Sequence, residues 1–259
     1  METALPGTLS PGQFSLVYNM LSLAIASMLG SFAFFVMARS MVSAKYRPAL
    51  VMSALVVGIA GYHYLRIFNS WEGAYELNAA GVYASTGHPF NDAYRYVDWL
   101  LTVPLLVAEL IAVMALEANK RRTLMTRLSF AAVLMIALGY PGEVLASGDP
   151  MKHVWGVASS IPFGYIVYVL WTELGTAVQG QSGRVQELVR NIKLLLLATW
   201  GFYPITYLLG AGGILPEDGS AIVTIQVGYS IADILAKCGY GVMIYLIARA
   251  KMDADGEVA

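Results

Sequence analysis

Residues 95–110 read RYVDWLLTVPLLVAEL. Most of this stretch is apolar enough for a bilayer, yet it holds Arg95, Asp98 and Glu109. Charge at membrane depth is costly and marks functional groups. Asp98 and Glu109 are 11 positions apart. On a helix turning roughly 100° per residue they share one face, about 16 Å apart along the axis. Thr102 lies one turn inward of Asp98, and Arg95 about one turn outward. One face of a membrane helix thus presents a column of Arg, carboxylate, hydroxyl and carboxyl. A polar seam that only holds helices together is the plainer reading of such a column.

Working outward, apolar stretches of bilayer length recur seven times: 14–39, 48–70, 92–117, 123–146, 151–177, 187–211 and 221–249. A crossing helix needs roughly 20 residues. Apolar residues make up 58% of the 259 and charged residues only 13%, against about 25% in soluble domains. The sequence therefore predicts an all-α membrane protein, a seven-helix bundle forming one domain over 1–259. Residues 1–13 and 250–259 read as short tails, and 1–11 lacks the basic start of a signal peptide. The single cysteine, Cys238, excludes an internal disulfide, and no His/Cys spacing reads as a metal site. A net charge of −1 without a basic stripe argues against nucleic acid. The longest connection, from Trp71 to Phe90, contains GVYAST (81–86), a weak hairpin signal.

Lys and Arg cluster at the odd-numbered connections and after the last helix: Arg39, Lys45, Arg47; Lys120, Arg121, Arg122, Arg127; Arg184, Arg190, Lys193; Arg249, Lys251. The even connections hold Glu72, Glu76, Asp149, Glu217 and Asp218, with Lys152 the lone base. The positive-inside bias places the N-terminus outside.

The seventh stretch holds Asp233 and Lys237, one turn apart on one face. An amine at mid-bilayer needs a partner or loses its charge. It either pairs with a carboxylate purely structurally or is used chemically, because a desolvated Lys adds to an aldehyde to give a Schiff base. Trp200, Tyr203 and Tyr207 share a face of the sixth stretch, which Pro204 should bend, and Trp99 adjoins Asp98. Such a stripe is commonly packing; beside Lys237 it would line a slot for a flat conjugated chain. His63 sits at a depth similar to Asp98, so a contact between them is expected.

RYVDWLLTVPLLVAEL resembles the third helix of microbial rhodopsins, WGFYPITYLLG (200–210) their sixth, and ADILAKCGYG (232–241) their seventh. GYHYLRIFNSW (61–71) and LGYPGE (138–143) resemble the xanthorhodopsin branch, near the proteorhodopsins. The resemblance covers essentially the whole chain. It implies all-trans retinal on Lys237, Asp98 as proton acceptor and counterion, Asp233 as second counterion and Glu109 as proton donor. It further implies that Arg95 gates the outer side and His63 hydrogen-bonds Asp98. Trp99, Leu106, Trp200, Tyr203, Pro204 and Tyr207 would line the retinal, with Leu106 at a colour-tuning position where Leu goes with green absorption. Asp98, Thr102 and Glu109 match the outward proton pumps, not the chloride or sodium pumps.

The resemblance thus implies a light-driven outward proton pump in the cell (plasma or inner) membrane, assembled as a trimer or pentamer. Gly156 follows Trp155 where bacteriorhodopsin-like chains have a second Trp. The missing side chain either eases helix packing or opens a lateral window for a carotenoid. No outer glutamate pair for proton release is found in the sixth and seventh helices; Glu217 and Asp218 lie in the loop between them. The rival is a sensory photoreceptor signalling through a partner protein, which would keep Lys237 and its counterions but not need Glu109.

Overall fold

The computed structural model describes residues 7–114, 116–145, 149–179, 181–211 and 219–257, without the side chains of 208–211. Helix α1 (Pro11–Ala38) starts at a reciprocal cap: Ser10 Oγ accepts from Gln13 N at 3.2 Å, and Ser10 N donates to Gln13 Oε1 at 2.9 Å. Pro11 follows, where a missing N–H costs nothing. A short 3₁₀ turn, Arg39–Met41, leads to α2 (Arg47–Ala74), α3 (Tyr94–Val113) and α4 (Ala118–Val144). Helix α5 (Pro150–Ala177) opens with Asp149 accepting from Met151 N at 2.9 Å.

The sixth crossing is divided into α6 (Gly183–Trp200) and α7 (Phe202–Ala211). Pro204 has no N–H to offer the Trp200 carbonyl four residues back, so the helix breaks at Gly201. The seventh crossing runs through α8 (Gly219–Asp233), a π-helical turn (Ile234–Gly239) and α9 (Tyr240–Ala254). The remaining crossings follow the expected stretches. Six described helices or helix runs are long and apolar enough to cross a membrane; the divided sixth crossing completes seven.

The connection between α2 and α3 is better ordered than its turn signals suggest. Strands β2 (Tyr75–Leu77) and β3 (Tyr83–Ser85) pair antiparallel, and β1 (Thr8–Leu9) adds to the other edge of β3, in the order β1-β3-β2. Gly81, at φ 77°, makes the turn between them. This sheet ties the N-terminal segment to the second connection, so both lie on one side of the bundle, as the Lys/Arg bias requires.

Two large apolar cores fill the bundle. One, at the N-terminal end of α1, gathers Leu9, Phe14, Trp71, Tyr75 and Phe90. The other packs Leu50, Leu106, Val107, Leu110, Trp200, Tyr240 and Ile244 toward the opposite end. Leu29, Phe130 and Ile161 stay exposed on the flanks, an apolar perimeter that calls for lipid rather than water.

Candidate functional site: a buried lysine between two carboxylates

Lys237 lies within the π-helical turn and is 2% exposed. Its Nζ donates to Asp233 Oδ1 at 2.6 Å and pairs with Asp98 Oδ2 at 3.0 Å. A buried ammonium needs such close partners. Asp233 receives two further hydrogen bonds, from Tyr64 Oη to Oδ2 at 2.8 Å and from Tyr203 Oη to Oδ1. The amine therefore sits in a fixed cage contributed by α2, α3, α7 and the seventh crossing.

The column on α3 is buried throughout: Arg95, Asp98, Thr102 and Glu109 all face inward. Thr102 Oγ1 donates to the Asp98 backbone carbonyl at 2.8 Å, so it steadies the helix under the carboxylate. Arg95 stacks over the rings of Tyr229, at 5.1 Å, and Tyr64, at 5.7 Å, with Nη1 3.7 Å from Asp92 Oδ2. Glu109 has a different setting. Its Oε2 meets Ser53 Oγ at 2.5 Å, and the surrounding residues are those of the second apolar core.

The structure places His63 beside Asp98, as the sequence expects, at ion-pair rather than hydrogen-bond range. His63 Nδ1 stands 3.9 Å from Asp98 Oδ1, too far for a hydrogen bond, and lies 3.0 Å from the Ile59 carbonyl on its own helix. The histidine is a neighbour of the acceptor whose ring nitrogen is engaged by backbone.

Trp99, Leu106, Gly156, Trp200, Tyr203, Pro204, Tyr207 and Lys237 line one cavity. Met135, Ile136 and Gly139 of α4 and Ser159 and Phe163 of α5 add to its wall. The slot is mainly aromatic and aliphatic, with the amine of Lys237 in its lining, which fits a flat apolar aldehyde-derived chain. At Gly156 the absent side chain makes room for an internal ring: a Cβ there would lie 2.7 Å from Tyr207 Cε1. Tyr207 is held in turn by donating to the Lys152 carbonyl at 2.7 Å.

Ser53, Tyr64, Tyr229, Asp92 and Gln226 were not singled out by sequence, although each touches or flanks the site. They come from α2, α8 and the segment before α3, and rotation of one helix about its axis relative to another leaves no trace in a single sequence. Glu217 and Asp218 lie outside the described residues.

A seven-crossing bundle with a caged lysine facing an apolar slot defines a retinal-type membrane protein. Residues 16–251 match the family model for bacteriorhodopsin-like proteins, and the chain belongs to that family. It is 31% identical over 227 residues to the green-light absorbing proteorhodopsin of Gamma-proteobacterium EBAC31A08, covering 87% of this chain and 84% of that protein. Among solved structures it is similar to a thermophilic rhodopsin and to xanthorhodopsin, the latter described as a light-driven ion pump with dual chromophore. Each superposes with a TM-score of 0.92 at 55% identity, over 97% of this chain and 99% of the other. The protein is a multi-pass, retinal-binding membrane protein and an ion transporter, not an enzyme.

Proposed function

We propose that the protein is a light-driven outward proton pump; xanthorhodopsin, to which it is similar, is described as a light-driven ion pump. The supporting observation is the arrangement on α3: Asp98 pairs with Lys237, while Glu109 lies buried on the same helix about 16 Å further inward. All-trans retinal joined to Lys237 supplies light absorption and a light-driven change of shape. Lys237 Nζ then yields its proton to Asp98, the partner 3.0 Å away. Asp233 keeps its charge, held by Tyr64 and Tyr203. Glu109 restores the proton on Lys237 from the inner side and is refilled from the cytoplasm. Arg95 blocks return from outside by its positive charge. With the N-terminus outside, acceptor outward and donor inward give net outward transfer.

A sensor needs the caged lysine but not a buried inner acid, so Glu109 favours the pump. The test is the sign of the light-induced pH change in a cell suspension. Acidification abolished by a protonophore is expected; alkalinisation, or no change from retinal-loaded protein, overturns the reading.

The finer parts of this reading are a single functional domain over 1–259, residence in the plasma or inner membrane, green absorption with Leu106 against the chromophore, and a trimer or pentamer. They also include a carotenoid antenna beside Gly156, reaching the slot at the edge of Tyr207. An action spectrum with added carotenoid reads the antenna directly; no extra blue-region pumping removes it.

A further inference from the structure

The outer ends of α1 and α2 frame a second cavity, which the proton route above does not use. It is a groove of about 580 Å³ between α1, the end of α2 and the hairpin. That volume falls within the roughly 300–1,000 Å³ of small-molecule sites. Phe14, Tyr18, Tyr75 and Tyr83 form its aromatic wall, and Glu72 and Glu76 supply two carboxylates. Both glutamates are exposed, and neither carboxylate has a hydrogen-bond or ion-pair partner among the described residues. No Lys or Arg lines the groove among those residues. Aromatic faces beside unpaired carboxylates attract organic cations.

A second observation points to a ligand. Tyr75 lines the groove and is only 3% exposed, yet its hydroxyl holds no hydrogen-bond partner among the described residues. Buried polar groups are normally satisfied, so this hydroxyl has a donor and an acceptor to spare. The wall around it is built before any ligand arrives. Phe14 stacks on Tyr83 with ring centroids 3.8 Å apart and meets Tyr75 edge-on at 6.3 Å. Tyr75 and Tyr83 stand on the paired strands β2 and β3, which fixes their spacing.

Depth selects the source of the cation. The lining residues come from the first turns of α1 and the last turn of α2, where a crossing helix meets the lipid headgroups. Ser15 and Asn19 of the groove and Leu23 recur every four residues on α1. One face of the helix therefore leads from the groove to exposed apolar surface at Leu23, about 12 Å deeper. A free amine would use only the outer part of this face, whereas a lipid uses all of it. We propose that the groove binds the ammonium-bearing headgroup of a bilayer lipid. Glu72 and Glu76 oppose its positive charge, Ser15, Asn19 and Tyr75 offer hydrogen bonds to the rest of the headgroup, and an acyl chain follows the face marked by Leu23. The inference stands apart from the pump reading, because Lys237, Asp98 and Glu109 do not line this groove.

The test is native mass spectrometry of the full-length, retinal-loaded protein in detergent. It is titrated with phosphatidylethanolamine, with the N-acetylated form of the same lipid, which lacks the ammonium, and with free ethanolamine. The wild type should hold phosphatidylethanolamine about tenfold more tightly than the acetylated lipid, the worth of two exposed ion pairs. Glu72→Gln combined with Glu76→Gln should erase that preference with the visible band intact. Tyr75→Phe should also weaken the ethanolamine lipid, yet leave thermal bleaching in lipid-free detergent unchanged, because its hydroxyl has no protein partner to lose. Glu187→Gln, exposed at the start of α6 on the cytoplasmic side, should alter neither. Equal binding of the two lipids overturns the proposal, as does a preference that survives the double substitution. Free ethanolamine held as tightly as the lipid overturns it too. So does a lipid-free oligomer that falls apart in the double variant, because the occupant would then be a second copy of the chain.

Discussion

The outer and inner halves of this bundle handle charge in opposite ways. Outward of Lys237, Asp98 and Asp233 pair with the amine, Tyr64 and Tyr203 donate to Asp233, Arg95 lies over the Tyr64 ring, and Asp92 and Gln226 continue the chain. Inward, Glu109 has Ser53 as its hydrogen-bond partner among the described residues and lies against the apolar core that holds Val107, Leu110 and Ile111. A crowded polar network gives a proton short steps and fixed partners. An apolar plug gives it none, and so prevents back-flow until the bundle rearranges. The difference gives direction to the transfer: polar groups line the outward side of Lys237, with Arg95 barring return, and the apolar inner half must be opened.

The largest effect belongs at the junction of the halves. Lys237→Ala should abolish the visible band, because among the described residues no other amine lines the slot. A retained band would place the linkage elsewhere and remove the point from which both halves are measured. Next is Glu109→Gln. Colour should barely change, since about 16 Å separates it from Asp98. Return of the proton to Lys237 should slow by about 100-fold, and added azide, a small proton carrier, should restore it. A wild-type rate in flash spectroscopy would mean that the inner half conducts without its buried acid.

Much of this division was legible in the sequence, and its gaps have physical causes. The spacing of Arg95, Asp98, Thr102 and Glu109 placed them on one face because a helix repeats every 3.6 residues, and the structure buries all four. The same periodicity, with the family resemblance, assembled the eight slot residues. Depth along a helix was readable; rotation was not. Hence His63 was expected to bond Asp98, whereas its Nδ1 turns to the Ile59 carbonyl. Ser53 and Tyr64 gave no signal, because a hydroxyl among apolar residues is ordinary until its neighbour on another helix is known. The π-helical turn under Lys237 was equally hidden, since ADILAKCGYG has no breaker at that point. The break at Gly201, by contrast, follows from Pro204.

Hydrogen-bond redundancy offers a finer test of the comparison. Glu109 Oε2 has Ser53 as its partner, whereas Asp233 Oδ1 keeps Lys237 if Tyr203 is lost. Leaving a buried polar atom without a partner costs about 1–3 kcal/mol, against about 1 kcal/mol for one bond among several. Ser53→Ala should therefore destabilise the protein more than Tyr203→Phe in thermal bleaching of the band. The reverse order would mean that the outer network has no slack and the inner site finds another partner.

The smallest effect is expected at the cytoplasmic surface. Lys45 donates to Asp255 Oδ2 at 2.8 Å and to Glu257 Oε1 at 2.5 Å, tying the C-terminal tail to the first connection. These hydrogen bonds hold both carboxyls below the usual carboxylate range. The undocked tail, with ordinary values of about 4, therefore binds protons more readily than the docked one. Docking is fully supported above about pH 4 and is lost as pH falls through the lowered docked values. Amide exchange over residues 250–257 should thus be slow at neutral pH and fast in strong acid, and Lys45→Met should make it fast at both. The groups are exposed, so overall stability should hardly move. Reprotonation of Lys237 from Glu109 should also stay within about twofold, because a screened surface pair lies outside the apolar plug. A marked change in that rate in Lys45→Met would show that surface charge governs the inner barrier, and the plug would then not be the element that holds the inner half closed.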